Sequence, residues 1–318
     1  MKILLVGGES AGAEAFKAIG RTSDHLVAVL ASTGGRGATA AGKLIALAEK
    51  AGVPVWPAEQ VKEFAFAQRV RDVGIDLILN VHSLFLFHPQ VVAAPTVGSF
   101  NLHPGPLPRF AGLNVPSWAI YSGETSHGVT LHWMSSSIDA GPIAFSSAFD
   151  IAPEDTALKV SIECVRRGIP LIEKLLAAAR SGEVPRIPQD LEGRRYFRAG
   201  PPDGGRVSWA WPARKVVDLV RACDYRPFPS PWGRALTTVG GRSVGIVSAR
   251  RTGRVTAEPP GTVGRTVEAA VEVACSDEWV FVDDVEQDGQ TLRAVDAFRG
   301  AGVLGSGPEP LSGAARPG

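Results

Sequence analysis

The sequence has no long uninterrupted apolar run. Its first residues, MKILLVGG, are apolar over only a few positions before two glycines, and no later stretch approaches the length of a membrane span. A run this short cannot serve as the core of a signal peptide, so the sequence predicts neither a secretion signal nor a membrane segment. We therefore expect a cytoplasmic protein without a membrane partner.

Cysteine and histidine are also scarce, with three and six among 318 residues. Cys164, Cys223 and Cys275 lie far apart along the chain, without a cysteine or histidine at metal-ligand spacing. No two histidines form an HxH or HxxxH pair. These spacings argue against a disulfide and against a metal site, and they favour small buried cysteines.

Two catalytic signatures are missing from particular places in the chain. The turn after the first apolar run is GGESAG, which lacks the GxGxxG spacing of a dinucleotide-binding loop. The GxSxG pattern of serine hydrolases occurs at residues 8–12 (GESAG) and 241–245 (GRSVG), but not at the serine cluster of residues 135–137. Both absences disfavour the corresponding functions, dinucleotide binding at this turn and hydrolysis by a Ser-His-Asp triad.

The composition is otherwise that of an ordinary soluble protein, with 45% apolar and 20% charged residues and enough length for one large and one small domain. The net charge of +1 hides an asymmetry along the chain. Residues 194–254 carry thirteen Lys and Arg against three acidic residues, whereas residues 255–318 carry four against eleven. Two interpretations stay open: the basic segment faces an anionic partner, or it is a solvated surface of an arginine-rich protein.

Apolar runs of strand type alternate with helical patterns in the N-terminal half, which predicts a parallel sheet with helices on both faces. The predicted strands are residues 2–7, 25–31, 53–56, 76–81 and 97–102, with helices at 40–51 and 59–74. Further strands at 127–133 and 143–151 precede a long helix at 153–181, and another helix is predicted at 212–223. Short strands between 235 and 298, with a hairpin turn at 288–290, indicate a small β-barrel.

The stretch FNLHPGPLPR contains the strongest candidate site residues. Asn101 and His103 are two positions apart at the end of a predicted strand, so their side chains leave the same face. The end of a strand is where open α/β sheets bind their ligands. The prolines within residues 104–108 exclude a continuing strand and predict a rigid loop beside the pair.

Together with features further along the chain, this stretch resembles the 10-formyltetrahydrofolate-dependent formyltransferases. The resemblance consists of an ordered set, namely Asn-x-His, a Pro-rich loop ending in Leu-Pro-Arg, a small-residue segment opening a helix, Gly-Val-Thr and Asp-x-Gly. Its members here are Asn101, His103, Leu107, Pro108, Arg109, Gly128, Val129, Thr130, Asp139 and Gly141. The resemblance extends over nearly the whole chain, because the C-terminal part also looks like that of the methionyl-tRNA enzymes.

The resemblance implies an α/β fold of two domains. A Rossmann-like formyltransferase domain with a mostly parallel sheet is expected over residues 1–184, and an OB-like β-barrel domain over residues 206–299. Residues 185–205 are rich in Pro, Gly and Arg without periodicity and are expected to form a linker. Residues 300–318 are rich in Gly, Pro, Ser and Ala and are expected to be a disordered tail.

The resemblance assigns catalysis to Asn101, His103 and Asp139. Formyl transfer to an amine passes through a tetrahedral intermediate with a negative oxygen, so the site needs hydrogen-bond donors and a route for a proton. Asn101 would donate to this oxygen, His103 would donate to it and pass a proton to the departing folate nitrogen, and Asp139 would orient or charge His103. Each residue also has a structural alternative, as a turn cap, a partner of a loop carbonyl or the start of a β-turn.

The resemblance further implies a pocket for 10-formyltetrahydrofolate, the formyl donor. The candidate residues are Leu84, Phe85, Leu86, Gly105, Pro106, Leu107, Pro108, Ser135, Ser137 and Ile138. Apolar walls and backbone hydrogen-bonding groups suit a flat pterin ring, although the same apolar residues could equally belong to the core.

Three further residues are candidates for substrate binding. Glu9 lies in a glycine-rich turn that holds a substrate phosphate in a related formyltransferase, and its carboxylate suits a cationic amine instead. His132 is either a second proton donor near the substrate or a structural strand residue. Arg109 follows the Pro-rich loop, and the sequence leaves open whether it contacts the donor or the acceptor.

The acceptor amine is the part of the function that the sequence determines least. A basic loop of the tRNA enzymes corresponds to residues 32–43, where Arg36 and Lys43 are the charged residues, and fewer phosphate contacts weaken tRNA binding. The basic segment at 194–254 argues in the other direction. Residues 113–118, together with residues 127–130, resemble formyltransferases of amino-sugar or peptide natural products. We therefore predict an N-formyltransferase for a small-molecule or carrier-protein-bound amine, with tRNA formylation and hydrolysis of the donor as alternatives and no indication of the oligomeric state.

Overall fold

The computed structural model describes residues 1–32 and 35–306, with the backbone alone for 35–40 and 306. These residues form two compact units. The first consists of Met1–Gly112, Ser126–Asp150 and Ser161–Tyr196, and the second of Leu113–Thr125, Ile151–Val160 and the chain from Phe197 onward.

The first unit is built on a seven-stranded sheet in the order β3-β2-β1-β4-β5-β7-β8. Five strands are parallel: β1 (Lys2–Gly7), β2 (His25–Ala31), β3 (Val55–Pro57), β4 (Leu77–Val81) and β5 (Gly98–His103). After the short β6 (Ala111–Gly112), the strands β7 (Ser126–Trp133) and β8 (Ile143–Asp150) extend the sheet in antiparallel orientation. The strand order reverses between β1 and β4, and such a reversal creates a crevice at the carboxyl ends of the strands.

Helices separate the parallel strands, as their alternation with apolar runs predicts. They are α1 (Glu9–Ile19), α2 (Gly35–Lys50), α3 (Phe64–Val73) and the short α4 (Pro89–Val92). The helix predicted at 59–74 is divided, because Glu63 is extended between a 3₁₀ turn at Ala58–Lys62 and α3. Leu4, Leu30 and Ile78 of the sheet are buried with Phe66 and Val70 of α3 in one hydrophobic core.

The second unit is antiparallel. Its helices are α5 (Val115–Tyr121), α7 (Ala213–Ala222) and the short α8 (Ala294–Ala297), while α6 (Ala157–Ser181) has residues in both units. After β9 (Tyr196–Phe197), the strands are β10 (Ala235–Val239), β11 (Arg242–Val255), β12 (Val263–Val267), β13 (Ala270–Ala274), β14 (Glu278–Gln287), β15 (Gln290–Arg293) and β16 (Gly305–Ser306). The predicted hairpin turn is confirmed, since Gln287 pairs with Gln290 while Asp288 and Gly289 both have positive φ, as a two-residue hairpin requires.

The antiparallel sheet of the second unit closes on itself. Its order is β12-β13-β14-β11-β10-β16, and the chain leading into β16 bonds to the chain leading into β12. Leu304 N–H donates to the Gly261 carbonyl at 2.8 Å, and Val263 N–H donates to the Gly302 carbonyl at 2.9 Å. The predicted fold class, a mostly parallel Rossmann-like domain followed by an antiparallel β domain, is confirmed. Residues 300–306 of the predicted tail take part in the closure, and positions 307–318 lie outside the described residues.

The charge asymmetry of the sequence is partly neutralised by folding of the second unit. At least seven of the thirteen basic residues in 194–254 form ion pairs with carboxylates, namely Arg214, Arg221, Arg226, Arg234, Arg250, Arg251 and Arg254. The last four pair with Glu286, Asp283, Glu278 and Glu272, all from the acidic segment at 255–318. Because β11 pairs with β14, residues far apart in sequence become neighbours of opposite charge.

The three cysteines are free and buried, as their spacing predicts. No helix in the described part of the chain is both long and apolar enough to cross a membrane.

Candidate active site

Three polar side chains meet on one face of the central sheet. Asn101 on β5 is paired with Asn80 on β4 and with His132 on β7, and residues directly opposite in a sheet project from the same face. Asn80 Nδ2 donates to Asn101 Oδ1 at 3.0 Å, and Asn101 Nδ2 donates to His132 Nε2 at 3.2 Å. His132 Nδ1 donates to the Trp133 carbonyl at 2.8 Å, which makes Nε2 the acceptor. This chain of bonds fixes the orientation of the Asn101 amide.

Asp139 lies between the two imidazoles of the site. Its Oδ2 is 3.6 Å from His103 Nδ1, and its Oδ1 is 3.5 Å from His132 Nε2. Gly112 N–H donates to Oδ2 at 2.9 Å, and Asn101 Nδ2 donates to Oδ1 at 3.4 Å. The structure therefore brings together the three residues predicted to be catalytic, and it adds His132 to the group.

Burial and neighbouring groups set the charges in this cluster. Burial would raise the pKa of Asp139, but the neighbouring His103 and the hydrogen bond from the Gly112 N–H hold that pKa well below its usual range. Burial lowers the pKa of His103 below 6.5, and Asp139 and the Phe110 carbonyl offset this only in part. The site at neutral pH thus contains a carboxylate and a neutral imidazole.

The protonation of His103 follows from its partners. Its Nε2 donates to the Phe110 carbonyl at 2.6 Å, so in the neutral ring Nδ1 carries the lone pair. Nδ1 and Asp139 Oδ2 then face each other as two acceptors at 3.6 Å. A single proton placed between them would convert a repulsive contact into a hydrogen bond, so the pair is suited to receive one proton.

The proline-rich loop beside His103 is shaped by side chains of β7. Thr130 Oγ1 donates to the Gly105 carbonyl at 2.8 Å and accepts from Leu107 N–H at 3.1 Å. His127 Nε2 donates to the Pro104 carbonyl at 2.9 Å. Of the loop residues predicted to contact the donor, Leu107 is buried and Gly105 is held through its carbonyl.

The burial of His127 leads to an expected loss of stability in acid. Burial lowers its pKa to about 4, and its Nδ1 accepts no hydrogen bond from the described residues. An unfolded histidine titrates near 6.5, so between these pH values the unfolded chain binds more protons and stability falls as the pH falls. We expect His127 to contribute a loss of roughly 2 kcal/mol in the free energy of unfolding between about pH 7 and pH 5.

The measurement is chemical denaturation of the parent and of His127→Gln across this pH range. The variant should show a weaker pH dependence, with the part due to His103 remaining, whereas the exposed control His25→Gln should follow the parent. A variant whose pH dependence equals that of the parent would contradict the assignment.

The residues after β4 alternate between solvent and core. Leu84 and Leu86 are exposed apolar side chains, 79% and 64% accessible, as a surface that stacks against a ring would be. Phe85 was predicted to line the donor pocket, but it packs against the hydrophobic core with Lys62 Nζ 4.8 Å from its ring centroid. The sequence could not separate these residues, because all are apolar and only the local alternation decides which ones face outward.

An open cleft of about 470 Å³ lies beside Asp139. It is lined by Ser136, Ser137, Ile138, Ala140, Leu191, Arg194 and Tyr196. Two residues predicted to bind the donor, Ser137 and Ile138, are in this lining, while the Ser135 hydroxyl donates to the Ser137 carbonyl at 2.9 Å. The sequence missed the last three lining residues because they lie in a segment without periodicity.

That segment, residues 185–196, contacts the loop that carries Asp139. It belongs to the first unit, whereas the sequence predicted a linker there. Gln189 Nε2 donates to the Asp139 carbonyl at 3.0 Å and to the Gly141 carbonyl at 2.6 Å. Arg194 Nη2 donates to the Ile138 carbonyl at 3.0 Å. Asp139 has a left-handed φ of 53°, a conformation that needs such support in a residue other than glycine.

The predicted substrate-binding residues lie in three places. Glu9 follows β1, with its Oε2 3.4 Å from Nδ1 of His82, a residue that the sequence analysis did not single out. Arg109 is exposed, with its guanidinium carbon 5.5 Å from the ring centroid of Phe110. His132 lies within the catalytic cluster.

A metal centre is not indicated at this site. Within residues 1–32 and 35–306, no three His, Cys, Asp or Glu side chains are grouped as ligands for a metal ion.

Two protein families and a methionyl-tRNA enzyme match this chain over much of its length. Residues 1–166 match the family described as formyl transferase, and residues 201–302 match the family described as formyl transferase, C-terminal domain. The methionyl-tRNA formyltransferase of Myxococcus xanthus is 30% identical over 266 residues, which cover 83% of this chain and 82% of that protein.

Several solved structures share the fold, including the following two. An N-formyltransferase from Helicobacter canadensis, in complex with folinic acid and dTDP-3-aminofucose, is 16% identical with a TM-score of 0.65, over 89% of this chain and 98% of that one. HypX from Aquifex aeolicus, in complex with tetrahydrofolic acid, is 19% identical with a TM-score of 0.65, over 93% of this chain and 46% of that one.

Proposed function

The chain belongs to the formyl transferase family, and from this premise we propose that it transfers the formyl group of 10-formyltetrahydrofolate to a primary amine. The observation that carries the proposal is the meeting of Asn101, His103 and Asp139 at the end of β5. Attack of an amine on a formyl carbon needs donors for the oxygen that becomes negative and an acceptor for a proton. An amide, a neutral imidazole and a carboxylate supply these groups.

Asn101 is the donor to the developing negative charge. Asn80 holds its Oδ1, so its two Nδ2 hydrogens point to His132 and Asp139. The 3.4 Å bond to Asp139 is long for a hydrogen bond and is correspondingly weak. A formyl oxygen beside Asn101 can compete for that hydrogen, and the gain is larger when the oxygen carries charge.

His103 and Asp139 handle the proton that the amine loses after its attack. His103 Nδ1, which faces Asp139 Oδ2, accepts the proton. The Asp139 carboxylate then stabilises the resulting imidazolium. The imidazolium then returns the proton to the leaving nitrogen of the donor. His132 orients Asn101 as an acceptor, because its Nδ1 is committed to the Trp133 carbonyl, and this bonding supports a structural role rather than that of a second proton donor.

The residues around the cluster fit a folate donor, which supplies the formyl group when bound. Leu84 and Leu86 offer exposed apolar surface for a flat ring. Ser137 and Ile138 add a cleft next to Asp139, with polar and apolar groups in its wall. Folinic acid and tetrahydrofolic acid are the ligands of the Helicobacter canadensis and Aquifex aeolicus structures compared above.

We propose a small-molecule or carrier-protein-bound amine as the acceptor. The ion pairs of the second unit support this choice, since they neutralise much of the basic segment that could otherwise bind RNA. The relative from Myxococcus xanthus is a methionyl-tRNA enzyme, so tRNA is the alternative to be tested. The loop at 32–43, where the tRNA enzymes are basic, includes Arg36, whose side chain lies outside the described residues.

The test is release of tetrahydrofolate from 10-formyltetrahydrofolate with no amine, with methionyl-tRNA or with dTDP-3-aminofucose. We expect release to depend on an amine and to be faster with the amino sugar than with the tRNA. Release in water alone would make the protein a hydrolase, and formylation of the tRNA alone would overturn the choice of acceptor. Binding of folinic acid without release in any condition would overturn the transferase proposal itself.

The hydrogen bonds from Gln189 to the Asp139 loop lead to a further prediction. Gln189→Met keeps the size of the side chain but removes both hydrogen bonds to the Asp139 loop, each worth about 1 kcal/mol. We expect kcat to fall by roughly tenfold with a small change in KM, because the carboxylate is less firmly held opposite His103. The exposed Gln90→Met is the matched control. A loss of melting temperature with unchanged kcat would show that Gln189 serves stability alone.

A further inference from the structure

Two side chains meet in the crevice where the strand order reverses. Glu9 lies two residues after the end of β1, and His82 directly follows β4. Both have left-handed backbone, with φ of 52° and 55°, which is uncommon for residues other than glycine and concentrates at functional sites. Glu9 Oε2 and His82 Nδ1 are 3.4 Å apart. The two loops therefore hold a carboxylate against an imidazole at the ligand-binding edge of the sheet.

Asn80, two residues before His82 in the chain, bonds to the catalytic cluster. This residue is 6% exposed, and its Nδ2 donates to Asn101 Oδ1 and, at 3.4 Å, to the carbonyl of Ser83. Its Oδ1 is buried and accepts no hydrogen bond from any residue that the structure describes. An unpaired buried acceptor is costly, and a ligand that brings an N–H group to it would remove that cost.

The chemistry of the pair is that of a proton acceptor. The hydrogen bond with His82 lowers the pKa of Glu9, which is therefore a carboxylate at neutral pH. A carboxylate bonded to Nδ1 selects the tautomer with hydrogen on that atom and leaves Nε2 with a free lone pair. The His82 side chain is 13% exposed and that of Glu9 is 64% exposed, so a proton taken up inside has a path to solvent.

Formylation of an amine at neutral pH requires the removal of two protons. An acceptor R–NH3⁺ must lose one proton to become a nucleophile, and after attack its nitrogen loses a second. The second proton ends on the leaving nitrogen of the donor, so His103 and Asp139 return what they accept. The first proton is released to solvent, and this step needs an acceptor with a path to solvent.

We propose that Glu9 and His82 form a dyad that binds the protonated amine of the acceptor and takes its first proton. His82 Nε2 accepts the proton from R–NH3⁺ to give R–NH2 and an imidazolium, whose charge Glu9 balances. Asn80 Oδ1 accepts a hydrogen bond from the amine and aligns it with Asn101. The inference rests on the proposed function and names the group that this site recognises, a primary ammonium.

The experiment compares the parent with His82→Gln and Glu9→Gln in the full chain, with dTDP-3-aminofucose and methionyl-tRNA as acceptors. The value of kcat/KM is measured from about pH 6 to pH 9.5. At pH 7 we expect a fall of about 10²-fold for His82→Gln, as for loss of a general base, and a smaller fall of about tenfold for Glu9→Gln. Both losses should shrink as the pH rises, because solvent then supplies the unprotonated amine.

Matched controls are the exposed His25→Gln and Glu49→Gln, which should follow the parent at every pH. Binding of folinic acid by each variant verifies the fold, and if His82→Gln is unstable, Glu9→Gln decides. Variants whose pH profiles equal that of the parent would overturn the dyad while leaving formyl transfer intact. A loss that persists unchanged at high pH would also overturn it. A parent that formylates neither amine would instead defeat the proposed function on which the dyad rests.

Discussion

Replacing His103 by alanine should lower kcat/KM for formyl transfer by about 10²–10⁴-fold, the usual contribution of a positioned general acid or base. The ring is 4% exposed and lies between the Phe110 carbonyl and the Asp139 carboxylate, where it exchanges a proton with the reacting nitrogen atoms. Initial rates with saturating 10-formyltetrahydrofolate and the best acceptor measure the effect. The loss should be similar across neutral pH, because the missing group is the proton carrier itself.

Stability can be separated from catalysis in this variant. The substitution leaves a small cavity and one unpaired carbonyl, which costs about 1–3 kcal/mol of unfolding free energy. Binding of folinic acid and a cooperative thermal transition should therefore survive. His25→Ala, on the exposed start of β2, is the control for a histidine change in the same unit. Activity within threefold of the parent would remove His103 from the mechanism.

Asp139→Asn should have an effect of similar size, about 10²–10⁴-fold in kcat/KM. Asparagine has nearly the same shape, and its oxygen can still accept the Gly112 N–H, so the loop keeps its anchor. The lost group is the charge. The Asp139 carboxylate raises the pKa of His103 against the effect of burial, so without it the imidazole is still less able to hold a proton.

The pH profile of the Asp139 variant distinguishes charge from geometry. If the carboxylate acts through His103, the residual rate of Asp139→Asn should lose the acid limb that His103 gives the parent enzyme, because that group now titrates at lower pH. Asp72→Asn, an exposed carboxylate on α3, is the matched control. Full activity of Asp139→Asn, or an unaltered acid limb, would contradict the role assigned here.

Much of the fold follows from local sequence. The runs KILLVG and HLVAVLA form β1 and β2 with the predicted bounds, because a strand covered on both faces needs a continuous apolar run. The hairpin at residues 288–290 follows from its Asp-Gly turn. Asn101 and His103 share a face for the equally local reason that they are two apart on one strand. That Asp139 lies beside them was carried by the family resemblance alone.

Other parts depend on contacts that no local pattern encodes. Asn80 is one polar residue in a buried strand, and its importance comes from lying opposite Asn101, which is a matter of register between two strands. Gln189 lies in an irregular segment held by side-chain bonds, and such segments show no periodicity. The barrel closes between Gly261 and Leu304, where neither partner has a strand pattern of its own. The sequence therefore predicted a linker and a tail at places where the chain makes specific contacts.

The surroundings of Asp139 have a consequence for inhibitor design. The Asp139 carboxylate accepts its hydrogen bonds from the Asn101 amide and the Gly112 N–H, so its negative charge is met by neutral donors. A compound that places an amidinium or ammonium at the position of the attacked carbon would gain an ionic contact that its uncharged isostere lacks. Inhibitors of this enzyme should therefore carry a cationic group, rather than an acidic one, at this position.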